Sequence, residues 1–155
     1  MENKEIVKRR PGRPKTNTGK TYRSKRSKSD NFRIQSYYYD QLVKIRDYYV
    51  CRGYNLTMNK LMCIIFDMGL DMTPSDLLGD YKYYENQYVR GEVDTKKVSL
   101  VVPNETYDCL IMLHDQLGHG EPKARLLRHI TITVSDIIVE SGIPNYYLEG
   151  IERLC

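Results

Sequence analysis

Polar and apolar positions change period several times along the chain. Asn31-Phe32-Arg33-Ile34-Gln35 alternates, which is the two-residue period of a strand with one buried face. From Ser36 the period lengthens. Tyr38, Leu42, Ile45 and Tyr49 fall on one helical face, with Ser36 as the expected cap and Gly53 as terminator. A second helix is predicted after Thr57, with Leu61, Ile64, Ile65 and Met68 as its apolar stripe and Gly69 closing it. The same order then returns. Lys97–Val102 alternates, with Val98, Leu100 and Val102 on one face, until Pro103 stops it. Asn104 is the expected cap of a helix striped by Tyr107, Leu110, Leu113 and Leu117, which Gly118 and Gly120 break. A final stripe of Val134, Ile137, Ile138 and Ser141 ends at Gly142. The local match of residues 64–70 with 137–143 strengthens the reading of a repeat.

The two copies differ in length. Aligning Phe32 with Val98 gives the second copy about seven extra residues, placed in the Gly118–His129 connection, where Pro122 can open a short helical turn. Ile130-Thr131-Ile132-Thr133-Val134 alternates like a strand, yet the repeat demands a helix there, so the last helix is expected to start near Thr131 or Thr133. Between the copies, Thr73-Pro74-Ser75-Asp76 is a helix start, to be followed by Leu77, Leu78, Tyr81, Tyr84 and Tyr88 up to Gly91. The expected organisation is a disordered arm at 1–29, a first unit at 30–72, a helical linker at 73–95, a second unit at 96–145 and a tail at 146–155. The fold class is mainly α with a short antiparallel β-ribbon. A lone strand can neither satisfy its edge nor bury its face, so the strands must pair, either within one chain or between two.

Charge changes this picture. Residues 1–29 hold eleven Lys and Arg against Glu2 and Glu5, a net +9, whereas the other 126 residues hold 13 Lys and Arg against 18 Asp and Glu, a net −5. A basic arm on an acidic body points to a polyanionic partner. The arm has no apolar periodicity and is rich in Lys, Arg, Ser, Thr and Gly. Within it, Lys8-Arg9-Arg10-Pro11-Gly12-Arg13-Pro14-Lys15 resembles an AT-hook through its Gly12-Arg13-Pro14 core. Prolines hold the backbone extended, glycine lets it lie deep in a narrow minor groove, and arginine follows the potential of A·T tracts. Pro11 departs from the second arginine usual in that motif, and plain phosphate attraction is the competing reading.

Other function classes find little support. No apolar run approaches the roughly 20 residues of a membrane span, the N-terminus has no apolar core of a secretory signal, and a cytoplasmic location is expected. Cys51, Cys63, Cys109 and Cys155 form no C-x-x-C pair and are read as buried free thiols. His114, Asp115 and His119 could suggest a metal cluster, but adjacent helical residues face apart and Gly118 intervenes. Neither a phosphate-binding glycine loop after a strand nor a G-x-S-x-G elbow is present, so no catalytic residue, cofactor or metal is expected.

Residues 31–70, and to a lesser extent 96–143, resemble the ribbon-helix-helix family of Arc- and MetJ-like repressors. The resemblance implies two tandem units whose strands form one antiparallel ribbon in the major groove of double-stranded DNA. Carried over by position, the outward base-reading set is Asn31, Arg33 and Gln35 in the first unit and Lys97, Ser99 and Val101 in the second. Arginine can bind guanine O6/N7 and Asn or Gln adenine N6/N7, while Val101 departs from the usual polar reader and could contact a thymine methyl. The family anchors phosphate on the start of its second helix, which points here to Thr57, Met58 and Asn59 and to Thr133. The implied function is sequence-specific transcriptional regulation by an intramolecular pseudo-dimer or a homodimer, with higher oligomers possible on DNA. The alternatives are an accessory DNA-binding role in plasmid or phage replication, partition or transfer, and an antitoxin-like partner binder.

Overall fold

Two nine-residue stretches, with buried apolar residues at alternate positions Phe32 and Ile34 in one and Val98, Leu100 and Val102 in the other, become the only two strands among the described residues. The structure is a computed structural model and describes residues 27–79, 94–117 and 120–154. Strand β1 (Ser27–Gln35) runs into helix α1 (Ser36–Val50), followed by α2 (Met58–Asp71) and the short α3 (Pro74–Leu78). Strand β2 (Thr95–Pro103) runs into α4 (Asn104–Gln116), followed by α5 (Lys123–Ser141) and α6 (Asn145–Leu154). The protein is therefore mainly helical, with one short two-stranded antiparallel sheet. The basic arm with its AT-hook-like motif falls outside the described residues, as do Tyr81, Tyr84, Tyr88, His119 and Cys155.

The strands pair within the chain. Ser27 lies opposite Pro103, Ser29 opposite Val101, Asn31 opposite Ser99, Arg33 opposite Lys97 and Gln35 opposite Thr95. Both strand-to-helix junctions, Gln35/Ser36 and Pro103/Asn104, lie 68 positions apart. Shifting by that interval carries the pair Arg33–Lys97 onto Val101–Ser29 and the pair Asn31–Ser99 onto itself. The register thus has a local twofold passing between Asn31 and Ser99. It equates Phe32 with Leu100, where the sequence alignment had taken Val98. With that equivalence the second copy carries five extra residues before Gly142 where seven were expected.

One face of the ribbon is buried. Phe32 and Ile34 from β1, and Val98, Leu100 and Val102 from β2, turn onto a helical layer. Phe32 meets Phe66 edge to face with ring centroids 6.5 Å apart. Beneath them α2 and α5 pack on each other, with α1 and α4 flanking. Their core residues include Leu42, Leu61, Ile65, Leu110, Leu127 and Ile130. Removal of this apolar surface from water is the main force seating the ribbon on its helices.

Several local expectations need correction. Helix α5 starts at Lys123, eight to ten residues before the positions predicted, so Thr133 lies in mid-helix. Ile130, Thr131, Ile132 and Val134 are all buried, and Thr131 Oγ1 donates to the Leu127 carbonyl at 2.8 Å, which is how a β-branched run is accommodated in a helix. Gly69 does not close α2, which continues to Asp71. A Cβ there would stand 2.9 Å from Ile130 Cγ2, so the glycine serves the close approach of α2 and α5. Gly142 does terminate α5, with φ of 80°. Ser36 and Asn104 are the first residues of their helices and do not cap them. The Ser36 hydroxyl donates instead to the Asp94 carboxylate at 2.7 Å. Residues 27–29, assigned to the arm, and Thr95, assigned to the linker, belong to the ribbon. The expected tail is helix α6, which buries Leu148 and Ile151.

Candidate nucleic-acid interface

Because successive side chains of a strand point to opposite faces, burying Phe32, Ile34, Val98, Leu100 and Val102 turns their neighbours outward. The exposed face consists of three rows: Ser29 beside Val101, Asn31 beside Ser99, and Arg33 beside Lys97. Five of the six residues expected to face outward are there. Gln35 is half-buried at the end of the ribbon, opposite Thr95. Ser29 was missed, because in a polar, basic stretch no alternation of apolar residues announces a strand.

The face is ordered by its own hydrogen bonds. Ser99 Oγ donates to Asn31 Oδ1 at 3.0 Å on the local twofold. The Arg33 guanidinium donates to Thr95 through Nε, 2.9 Å from Oγ1, and through Nη2, 3.1 Å from the carbonyl. A guanidinium carries five N–H donors, so three are not used by these two bonds. Like charges directly opposite on a sheet are destabilising. Arg33 and Lys97 stand in that arrangement, and none of the six outward residues is acidic. At the other end Val101 is 43% exposed, an apolar side chain on a polar face.

The outer edges of the ribbon are held by helices. The Asn59 side chain clamps the Val101 peptide, accepting its N–H at 3.0 Å and donating to its carbonyl at 3.2 Å. Cys63 Sγ donates to the same carbonyl at 3.2 Å, and burial, followed by the nearby Asp67 charge, pushes its thiol up to about 11, so it stays protonated as that donor. At the residue related by the local twofold, Arg128 Nη1 donates to the Arg33 carbonyl at 3.4 Å. Asn59 was expected at phosphate, but its amide is committed to the strand. Thr57 caps α2, its hydroxyl accepting the Lys60 N–H at 3.2 Å. What this helix end offers an anion is therefore the N–H groups of Met58 and Asn59, first-turn donors without a carbonyl partner inside the helix. Thr133 cannot play that part. It lies ten residues into α5, with Oγ1 3.4 Å from His129 Nε2.

Beneath the ribbon, Asp30 occupies an inward position whose twofold equivalent is the buried Val98. Lys123 Nζ lies 2.7 Å from its carboxylate and donates to the Tyr107 hydroxyl at 2.5 Å, and that hydroxyl is 3.3 Å from the same carboxylate. Partial burial raises the Asp30 pKa, but the Lys123 hydrogen bond, the Asn31 N–H and the Lys123 charge outweigh it, so the net direction is down.

No protein-family model matches the chain, and no curated protein or solved structure matches it. His114 Nε2 sits 2.5 Å from the Glu121 carbonyl, holding the turn before α5. Among the described residues no group of three or more His, Cys, Asp or Glu comes together as metal ligands, and no helix is long and apolar enough to cross a membrane. Cys51, Cys63 and Cys109 are free thiols, but Cys51 and Cys109 are exposed, contrary to the expected burial. Cys51 lies in the turn just after α1, and Cys109 lies on the exposed side of α4.

Proposed function

We propose that the chain is a sequence-specific double-stranded DNA-binding regulator, built as two tandem ribbon-helix-helix units that read the major groove through the outward face of the ribbon. The observation that carries this reading is the exposed face itself: Asn31, Arg33, Lys97 and Ser99 project from a two-stranded ribbon whose opposite face packs on helices through Phe32, Ile34, Val98, Leu100 and Val102. A two-stranded ribbon fits the major groove, and these side chains have the donor and acceptor pattern that base edges require. The opposed pair Arg33 and Lys97 supports it further, because a local electrostatic conflict that no carboxylate among the described residues is seen to pair is relieved by an anionic or acceptor-rich partner. The strongly basic arm joins the chain at Ser27, next to the ribbon, where it adds phosphate or minor-groove attraction.

Selection from a pool of random duplexes, followed by binding curves on the selected and a scrambled duplex at several salt concentrations, tests this. Arg33→Ala should cost about 1–3 kcal/mol on the selected duplex and little on the scrambled one. Deleting residues 1–26 should weaken both, and make log K fall less steeply with log salt by roughly 0.9 per lost phosphate contact. Equal weakening of both duplexes by Arg33→Ala, together with loss of sequence preference on deletion of the arm, would reverse the roles and sink the reading.

A further inference from the structure

The ribbon has a twofold backbone but not a twofold face. The local axis between Asn31 and Ser99 equates Arg33 with Val101 and Ser29 with Lys97. At one end of the face two cations stand side by side. At the other end stand a hydroxyl and an exposed isopropyl group. A homodimeric ribbon must present the same residues at both ends, since both strands are one sequence. This ribbon is formed inside one chain and is released from that constraint.

We infer that one chain reads a non-palindromic duplex, with guanine at the Arg33–Lys97 end, an A·T pair at the Asn31–Ser99 centre and thymine at the Ser29–Val101 end. The inference rests on the proposed reading of the ribbon as a major-groove reader, and adds to it which bases are read and in which order. The chemistry assigns each row. Guanine presents O6 and N7 as two acceptors and no major-groove donor, the complement of a guanidinium or ammonium. The Arg33 guanidinium is steered by Thr95 through Nε and one Nη2 proton, so the bonds to Thr95 leave Nη1 and the second Nη2 proton available. Asn31 can pair with adenine N6/N7, and its Oδ1 is oriented by the Ser99 hydroxyl. The thymine methyl is the one apolar group in the major groove, and Val101 is the one apolar residue among the six outward side chains. The Asn59 clamp on the Val101 peptide holds that side chain in place without adding charge to the end.

The twofold register supplies its own test. Substituting Lys97→Ser, Ser99→Asn and Val101→Arg together gives β2 the outward residues of Ser29, Asn31 and Arg33, so both halves of the face become alike. All three positions are exposed, and melting curves check that the fold is retained. Full-length wild type and this triple variant are each put through selection from a random duplex pool, with the number of chains per duplex measured by light scattering. The wild type should yield a non-palindromic motif for each bound chain, with guanine at one end and thymine at the other. The variant should yield a palindrome with guanine at both ends, and should bind the wild-type motif about tenfold or more weakly than the wild type does. Val101→Ser alone should lose the thymine preference and keep the guanine. A palindrome occupied by a single wild-type chain, or a variant motif unchanged from wild type, overturns this inference and leaves the ribbon as a base reader. A pool that yields no motif from the wild type overturns both.

Discussion

Asp30 shows how much a single position can carry. An inward carboxylate under a ribbon is costly unless it is paired, and Lys123 and Tyr107 reach it from the starts of α5 and α4. Its pKa is lowered and that of Lys123 is raised, first through the Asp30 hydrogen bond. A carboxylate with a lowered folded pKa adds stability that is present above its unfolded pKa, near 3.8, and is lost as pH falls through the lowered value. The lysine's contribution is present below 10.5 and is lost as pH rises through its raised value. Asp30→Asn should therefore cost about 1 kcal/mol at pH 7, discounted because both groups are partly exposed, and the cost should vanish toward pH 2. Denaturant midpoints across that range check it; an equal loss at pH 7 and pH 2 would mean the ion pair contributes nothing. Neither partner was legible in the sequence. Asp30 breaks the alternation that would mark it as inward, and its cation lies 93 residues away.

At the scale of elements, period and capping chemistry carried most of the information. The outward residues of the ribbon other than Ser29 followed from a two-residue alternation that needs no knowledge of the rest of the fold. Thr57 and Thr73 mark helix starts because their hydroxyls accept a main-chain N–H three residues on. The start of α5 was not legible for the opposite reason. Four of the five residues 130–134 are buried, so neither period shows, and β-branched side chains read locally as strand. Gly69 likewise looks like a terminator when only its neighbours in sequence are considered, whereas its role is set by Ile130 across the helix interface. Asn59 gives a prediction at this scale. Asn59→Ala removes two hydrogen bonds to the Val101 peptide and should cost about 1–2 kcal/mol, with amide exchange at Val101 faster than in the wild type. If melting is unchanged and only DNA affinity falls, the residue belongs to the phosphate contact and not to the strand edge.

For the whole molecule, pairing within one chain has thermodynamic consequences. Among the described residues the core side chains lie between Phe32 and Ile151, and both strands come from the same polypeptide. Unfolding should then be unimolecular, and the melting temperature should not move over a hundredfold range of protein concentration; a rise with concentration would show that a second chain completes the fold. Removing residues 1–26 leaves every core side chain of the described residues in the chain and should leave the melting curve in place while the net charge of the chain swings from positive to negative. A large loss of cooperativity on that truncation would mean the arm contributes to the fold.

The ribbon also imposes an order on synthesis. Phe32 must wait for Val98, 66 residues later, before its strand has a neighbour. At roughly 5–20 residues per second, β1 leaves the ribosome about 3–13 s before β2. During that interval the nascent chain holds a bare strand edge, and Phe32 and Ile34 lack the Val98, Leu100 and Val102 side chains beside which they are buried. Contacts this distant in sequence also form late in refolding, because the loop between them must close first. A chain ending at residue 94 should accordingly be found in the insoluble fraction, or bound to a holdase, when the full chain made under the same conditions is soluble. Recovery of that fragment as a soluble, folded monomer would show that the first half can cover its own strand.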